Sequence, residues 1–178
     1  MSQATNPRAA LEARVANLKL DDLINRSSAE LEMLFRLGTT PTLRELSGQA
    51  NGRVLAGQIP LFLTRRDGLY LLNLAWLPWK GKMFTPAGDE QGWGYNRVGF
   101  GALETRLFRF ATSIESPLLG EDDVFSLNYD IPGNPWPIRQ IRDDLKRLRD
   151  RLYLGASYAR WQGQYHFVMY FALELMRD

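Results

Sequence analysis

Apolar positions alternate with period two over much of the second half of the chain. In DVFSLNYD (123–130), Phe125, Leu127 and Tyr129 lie opposite Val124, Ser126, Asn128 and Asp130. In YHFVMYFALE (165–174), Tyr165, Phe167, Met169, Phe171 and Leu173 oppose His166, Val168, Tyr170, Ala172 and Glu174. That period is the strand period, and each stretch has one apolar and one mixed face. KGKMFTP (80–86), YNRVGFG (95–101), ETRLFRFATSI (104–114) and LYLGASYA (152–159) also read as strands. Breakers such as Pro86, Gly88, Pro117, Gly120 and the run from Pro132 to Pro135 divide them. Upstream, TPTLRELSGQANGRVLAG has glycines at 48, 52 and 57, which suit a bent opening strand.

Helical spacing occurs elsewhere. Residues 8–38 read as a helical lead-in, with Asp21 or Asp22 capping one piece and Ser28 opening SAELEMLFRLG, which Gly38 stops. IPLFLTRRDGLYLLNLAWLP (59–78) does not alternate and reads as one or two short buried helices. In PWPIRQIRDDLKRLRDRL, Ile138, Ile141, Leu145, Leu148 and Leu152 fall at helical spacing among charged residues. This predicts an amphipathic helix over about 137–149, before the closing hairpin, with Ile141, Leu145 and Leu148 against the sheet. Its Arg139, Arg142, Lys146, Arg147 and Arg149, interleaved with Asp143, Asp144 and Asp150, read as a solvated face. The whole chain, 1–178, is expected to form one domain: 1–7 disordered, 8–38 helical and 43–176 the sheet.

Two stretches carry a resemblance. LSGQANGRVLAG looks like a glycine-marked opening strand. PWKGKMFTP followed by YNRVGFG is similar to a tryptophan-lysine-glycine-lysine and asparagine pattern of uncharacterised bacterial barrels. With the order of the elements, the chain resembles the lipocalin-like, or calycin-type, small β-barrels. The resemblance implies an α+β protein: a predominantly antiparallel lipocalin-like β-barrel with N-terminal helices and a ligand cavity. Either strand face suits the interior. A mixed face inside would orient a mainly apolar ligand, and an apolar face inside would leave the mixed face wet.

Composition narrows the chemistry. Net charge is only +2, too small to imply a nucleic-acid or membrane partner. Absence of cysteine excludes disulfides, thiol catalysis and thiolate metal sites, and a single histidine excludes a polyhistidine site. The N-terminal stretch has no continuous apolar core of the secretory kind, and LYLLNLAWLPW (69–79) is about half the length of a bilayer span. A cytoplasmic protein with no membrane insertion, no metal and no cofactor is expected; a homodimer is compatible with the chain.

The candidate site residues follow from the strand faces. His166 is the acid–base candidate, since imidazole titrates near neutral pH. Tyr170 shares its face by simple alternation, and Asn128, Asp130 and Tyr153 lie on neighbouring strands. Asp130 is placed to orient the imidazole. Lys82, on a short strand, would reach an anionic or carbonyl group of a ligand, with Asn96 beside it. The bland alternatives are a histidine ending a hydrogen-bond chain at the barrel mouth and a lysine snorkelling at a strand edge. Trp76, Trp79, Trp93, Trp136 and Trp161 are scattered and read as packing. Three functions remain: binding of a small apolar ligand (lipid, terpenoid or polyketide-like), cofactor-independent isomerisation or cyclisation of such a molecule, and a structural or interaction role.

Overall fold

The computed structural model describes Ala13 and residues 15–57, 78–89 and 91–176. The expectations for 1–7 and for buried helices within 59–78 fall outside the described residues, Pro78 apart. The described chain is mostly β rather than α+β. Eight strands pair antiparallel in sequence order and close into a barrel: β1 (Gly48–Gly57), β2 (Trp79–Pro86), β3 (Gly92–Val98), β4 (Thr105–Glu115), β5 (Val124–Asn128), β6 (Ile141–Arg149), β7 (Leu152–Trp161) and β8 (Gln164–Leu175). One α-helix, α1 (Ser28–Leu37), and two 3-10 turns, Leu20–Leu23 and Ile138–Gln140, complete the described elements. Of the helical lead-in expected over 8–38, the described residues include α1, the turn Leu20–Leu23 and helical backbone at Ala13 and Val15; residues 8–12 and 14 lie outside the described residues.

Local chemistry sets the ends of α1. The Ser27 hydroxyl accepts from the Glu30 amide, and the Glu30 carboxylate accepts from the Ser27 amide at 2.9 Å, a reciprocal cap. The cap is Ser27, not Ser28. Gly38 ends the helix, its N–H donating to the Leu34 and Phe35 carbonyls.

Two apolar layers lie on either side of the barrel wall. Phe84, Phe110, Phe125, Leu127, Leu145 and Phe171 fill the interior. Outside, Leu31 and Phe35 of α1, with Leu20 and Leu23, cover Leu154, Ala156, Tyr170 and Ala172 on β7 and β8. The apolar strand faces therefore point inward. Where the mixed face is covered by α1, it is buried as well.

The amphipathic helix expected over 137–149 is a correction: only Ile138–Gln140 is helical, as a 3-10 turn, and Ile141–Arg149 is strand β6. Ile141, Leu145 and Leu148 do not share a face. Leu145 belongs to the interior cluster and Ile141 packs against it, whereas Leu148 joins the outer layer under α1. The charged positions are not a solvated face either, since Asp143, Asp144 and Lys146 are buried. Asp144 accepts from the Arg142 guanidinium and the Leu118 amide, and the Lys146 ammonium donates to the carbonyls of Asp122 and Asp123. A strand covered on both faces loses its alternation, and here the remaining leucines mimic a helical stripe.

Two bulges decide which side chains enter the barrel. On β2, Trp79 pairs with Val98 and Gly81 with Arg97, so Lys80 is an extra residue. Trp79 and Lys82 would otherwise face opposite ways; the bulge turns both inward. Gly81 has φ 137, and a Cβ there would sit 2.0 Å from the Ala50 carbonyl oxygen, so this position accepts only glycine. On β8, Met169 pairs with Ser157 and Phe167 with Tyr158, leaving Val168 extra. Beyond it the faces exchange. Phe167 packs against Tyr158 and Tyr170 on the outside.

Candidate functional site

In a meander of this order, the β1–β2, β3–β4, β5–β6 and β7–β8 connections leave at the same end, here termed the upper end. Just inside it lies a closed hydrogen-bond network built from three strand ends and the residue after a fourth. Lys82 of β2 donates to the Asn96 side-chain oxygen at 2.9 Å, to the Asp143 carboxylate at 3.0 Å and to the Tyr129 hydroxyl. Tyr129 donates to Asp143 at 3.1 Å and accepts from the Asn96 amide nitrogen at 3.2 Å. The Trp79 indole N–H donates to the Asn96 oxygen at 3.1 Å. All three ammonium donors of Lys82 thus have acceptors.

The surroundings are aromatic. The Lys82 ammonium lies 5.1 to 5.6 Å from the ring centroids of Phe171, Tyr129, Phe110 and Trp79. Lys82 and Asp143 are each 3% exposed. At that separation and burial, ring quadrupoles and the Asp143 carboxylate replace water around the cation. Burial is still the stronger effect on Lys82 and lowers its pKa from the ordinary lysine value, with Asp143 opposing. Burial, followed by the nearby Asp143 charge, holds the Tyr129 phenol well above its ordinary value. A cation, a carboxylate, a phenol and an amide therefore meet at one point among packed aromatic side chains. They form a continuous hydrogen-bonded path for a proton.

Of the seven side chains singled out from the sequence, the structure brings Lys82 and Asn96 together in this network. Tyr153 is also interior, at the opposite end of β7, with its phenol pushed up by burial to about 12. His166 is half-buried on β8 opposite Ala159, below the β7–β8 turn. Tyr170 is on the other face from His166, outside the barrel beneath α1, where its ring packs on Phe35. The Val168 bulge is the reason. Asn128 and Asp130 lie on the outer rim: Asn128 accepts from the Asp130 amide, and Asp130 pairs with Arg139 and Arg160. Asp130 is thus committed to two guanidiniums. Sequence reasoning missed Asp143, hidden by the helical reading of β6, and Tyr129, which stands on the apolar face of β5 extended. The one available signal for Tyr129 was its alternation with Phe125 and Leu127.

A charged cleft at the lower end, lined among others by Asn51, Arg149, Arg151 and Glu174, is tied up internally. Arg149 holds Glu174 at 2.8 Å and the Leu18 carbonyl, and Arg151 holds the Leu175 carbonyl. Among the described residues no helix is long and apolar enough to cross a membrane, and no cluster of three or more His, Asp or Glu could hold a metal ion.

No family model and no curated protein matches the chain. A crystal structure of a protein from Thermomonospora curvata is similar at TM-score 0.55 and 19% identity, over 94% of this chain and 99% of that one. At that identity the likeness is one of fold.

Proposed function

We propose that the barrel binds a small, largely apolar molecule through its upper end, with a carbonyl or carboxylate on the ligand displacing Tyr129 or the Asn96 oxygen as an acceptor of the Lys82 ammonium. The observation that carries this reading is the Lys82 ammonium buried inside a ring of four aromatic side chains. A paired charge in a core is rarely a gain in stability over well-packed apolar residues, so its presence near one end of an eight-stranded barrel supports a role in recognition. The aromatic walls supply the apolar contact, at about 25 cal/mol per Å² of ligand surface removed from water. The lysine and asparagine fix the orientation.

A fluorescent fatty acid and its methyl ester test this by titration. Saturable binding of the acid is expected. A hydrogen bond to a charged group contributes about 1.5 to 3 kcal/mol, so the paired substitution Lys82→Met with Asp143→Leu should weaken the acid tenfold or more. Retention of full affinity by that variant, or no saturable binding by the parent, would overturn the proposal. Chromatography and proton NMR of the recovered ligand separate holding from conversion, since a proton path through Tyr129 and Asp143 would show itself as an isomer of unchanged mass but different retention and spectrum.

A further inference from the structure

The upper end also carries an apolar projection that none of the interior chemistry uses. The β3–β4 hairpin turns through Gly99–Glu104, and at its tip Phe100 is 73% and Leu103 81% exposed. The Leu103 N–H donates to the Phe100 carbonyl at 3.0 Å, so the two residues are the first and last of one tight turn, and both side chains are exposed at its tip. Gly101, at φ 57, lets the turn close. Trp136, 55% exposed, stands in the β5–β6 connection of the same end.

Cations surround the tip. Lys80 donates to the Gly101 carbonyl, and Arg106 sits one residue along β4 from the turn, opposite Arg97. The one carboxylate here, Glu104, is taken by Arg97 through two bonds, at 2.7 and 2.9 Å. Arg97 also reaches the Ala50 carbonyl at 3.0 Å, which anchors the base of the hairpin to β1. Lys80 and Arg106 therefore remain as excess positive charge beside two projecting apolar side chains. Asp130, also at this end, is shared by Arg139 and Arg160, and Asp143 is held inside by Lys82.

We propose that the β3–β4 tip docks the upper end of the barrel onto an anionic lipid surface. Phe100 and Leu103 enter the headgroup boundary, and Lys80 and Arg106 meet lipid phosphates. This is the combination of apolar wedge and basic collar that interfacial segments use. The contact is shallow and leaves the barrel outside the bilayer. Charge complementarity selects the lipid surface over a neutral apolar partner, and the proposal does not depend on what the barrel holds.

Co-sedimentation of the full chain with ligand-free vesicles tests it. The protein should pellet with vesicles of phosphatidylcholine containing phosphatidylglycerol. It should bind phosphatidylcholine alone about tenfold or more weakly, as two surface cations require. Phe100→Ser with Leu103→Ser should abolish pelleting while the circular dichroism spectrum stays that of the parent, because both side chains point into solvent. Lys80→Gln with Arg106→Gln should remove the preference for the anionic lipid. Failure of the parent to pellet, or undiminished pelleting of the Phe100/Leu103 variant, overturns the proposal. If the parent instead self-associates and that variant does not, the tip is a contact between copies and the lipid assignment is wrong.

Discussion

Asp143→Ala should lower stability by about 3 to 5 kcal/mol, because it leaves the Lys82 ammonium buried without a counter-charge. Asn96 and Tyr129 remain as acceptors, but neither carries charge, and Lys82 is 3% exposed, so water cannot take the place of Asp143. For a chain of this size the melting temperature should fall by roughly 10 °C. The deficit should also shrink as pH rises toward 10. Loss of Asp143 removes the group that supports the charged form of Lys82, so the folded state sheds that proton earlier than the unfolded state does. The pair Lys82→Met and Asp143→Leu should return to within about 2 kcal/mol of the parent, since no unpaired charge remains. Urea denaturation of the three proteins between pH 7 and pH 10 measures all of this. A single-variant loss below about 1 kcal/mol, or a double variant less stable than the single, would mean that Lys82 and Asp143 are not held as a desolvated pair.

Alkaline pH should unfold the protein cooperatively, and four tyrosines set the position. Burial raises the phenols of Tyr129, Tyr153, Tyr158 and Tyr170 above the ordinary tyrosine value, with Tyr153 and Tyr170 at about 12. Below pH 10 the phenols are neutral in both states and contribute nothing to the pH dependence. Above it, the unfolded chain releases protons that the folded chain keeps, so stability falls by about 1.4 kcal/mol per pH unit for each. Lys82 acts in the opposite sense, but only up to its unfolded value of 10.5; beyond that it is neutral in both states. The four phenols together then remove about 5 kcal/mol per pH unit. Against a total stability of about 5 to 15 kcal/mol, the midpoint should lie between about pH 11 and 13. Tyrosinate absorbance at these four positions should rise together with the loss of the circular dichroism signal. Ionisation of all seven tyrosines of the chain by pH 11 with the spectrum intact would contradict it.

The parts of this architecture that were legible in the sequence are those where one face of a strand differs from the other. β5, β8 and the strands around Lys82 and Arg109 showed their alternation, and their boundaries match within a few residues. β6 did not, because both its faces are buried and its polar side chains are satisfied by partners distant in sequence. Asp143 meets Lys82, and Lys146 meets carbonyls of the β4–β5 connection. No local pattern encodes such partners. The site was half legible for a related reason. Lys82 and Asn96 stand out as polar residues on short strands, and the Lys80–Gly81–Lys82 run contains the bulge that turns Lys82 inward. His166 and Tyr170 looked like neighbours because period-two counting has no means of registering the extra residue at Val168.

The ladder that closes the barrel has a kinetic meaning. Seven of the eight pairings join strands adjacent in sequence, whereas β1 and β8 set Ala50 against Leu175 and Gly52 against Leu173. Hairpins form in microseconds, but a contact of that separation must wait for nearly the whole meander and overcomes the largest loop entropy in the molecule. Until it forms, β1 and β8 are both open edges, with Phe171 and Leu173 beside them uncovered. The interval before closure is therefore when the chain is most exposed to pairing with a second copy of itself, and conditions that slow the last ladder should lower the yield of refolding more than they lower the stability of the folded barrel.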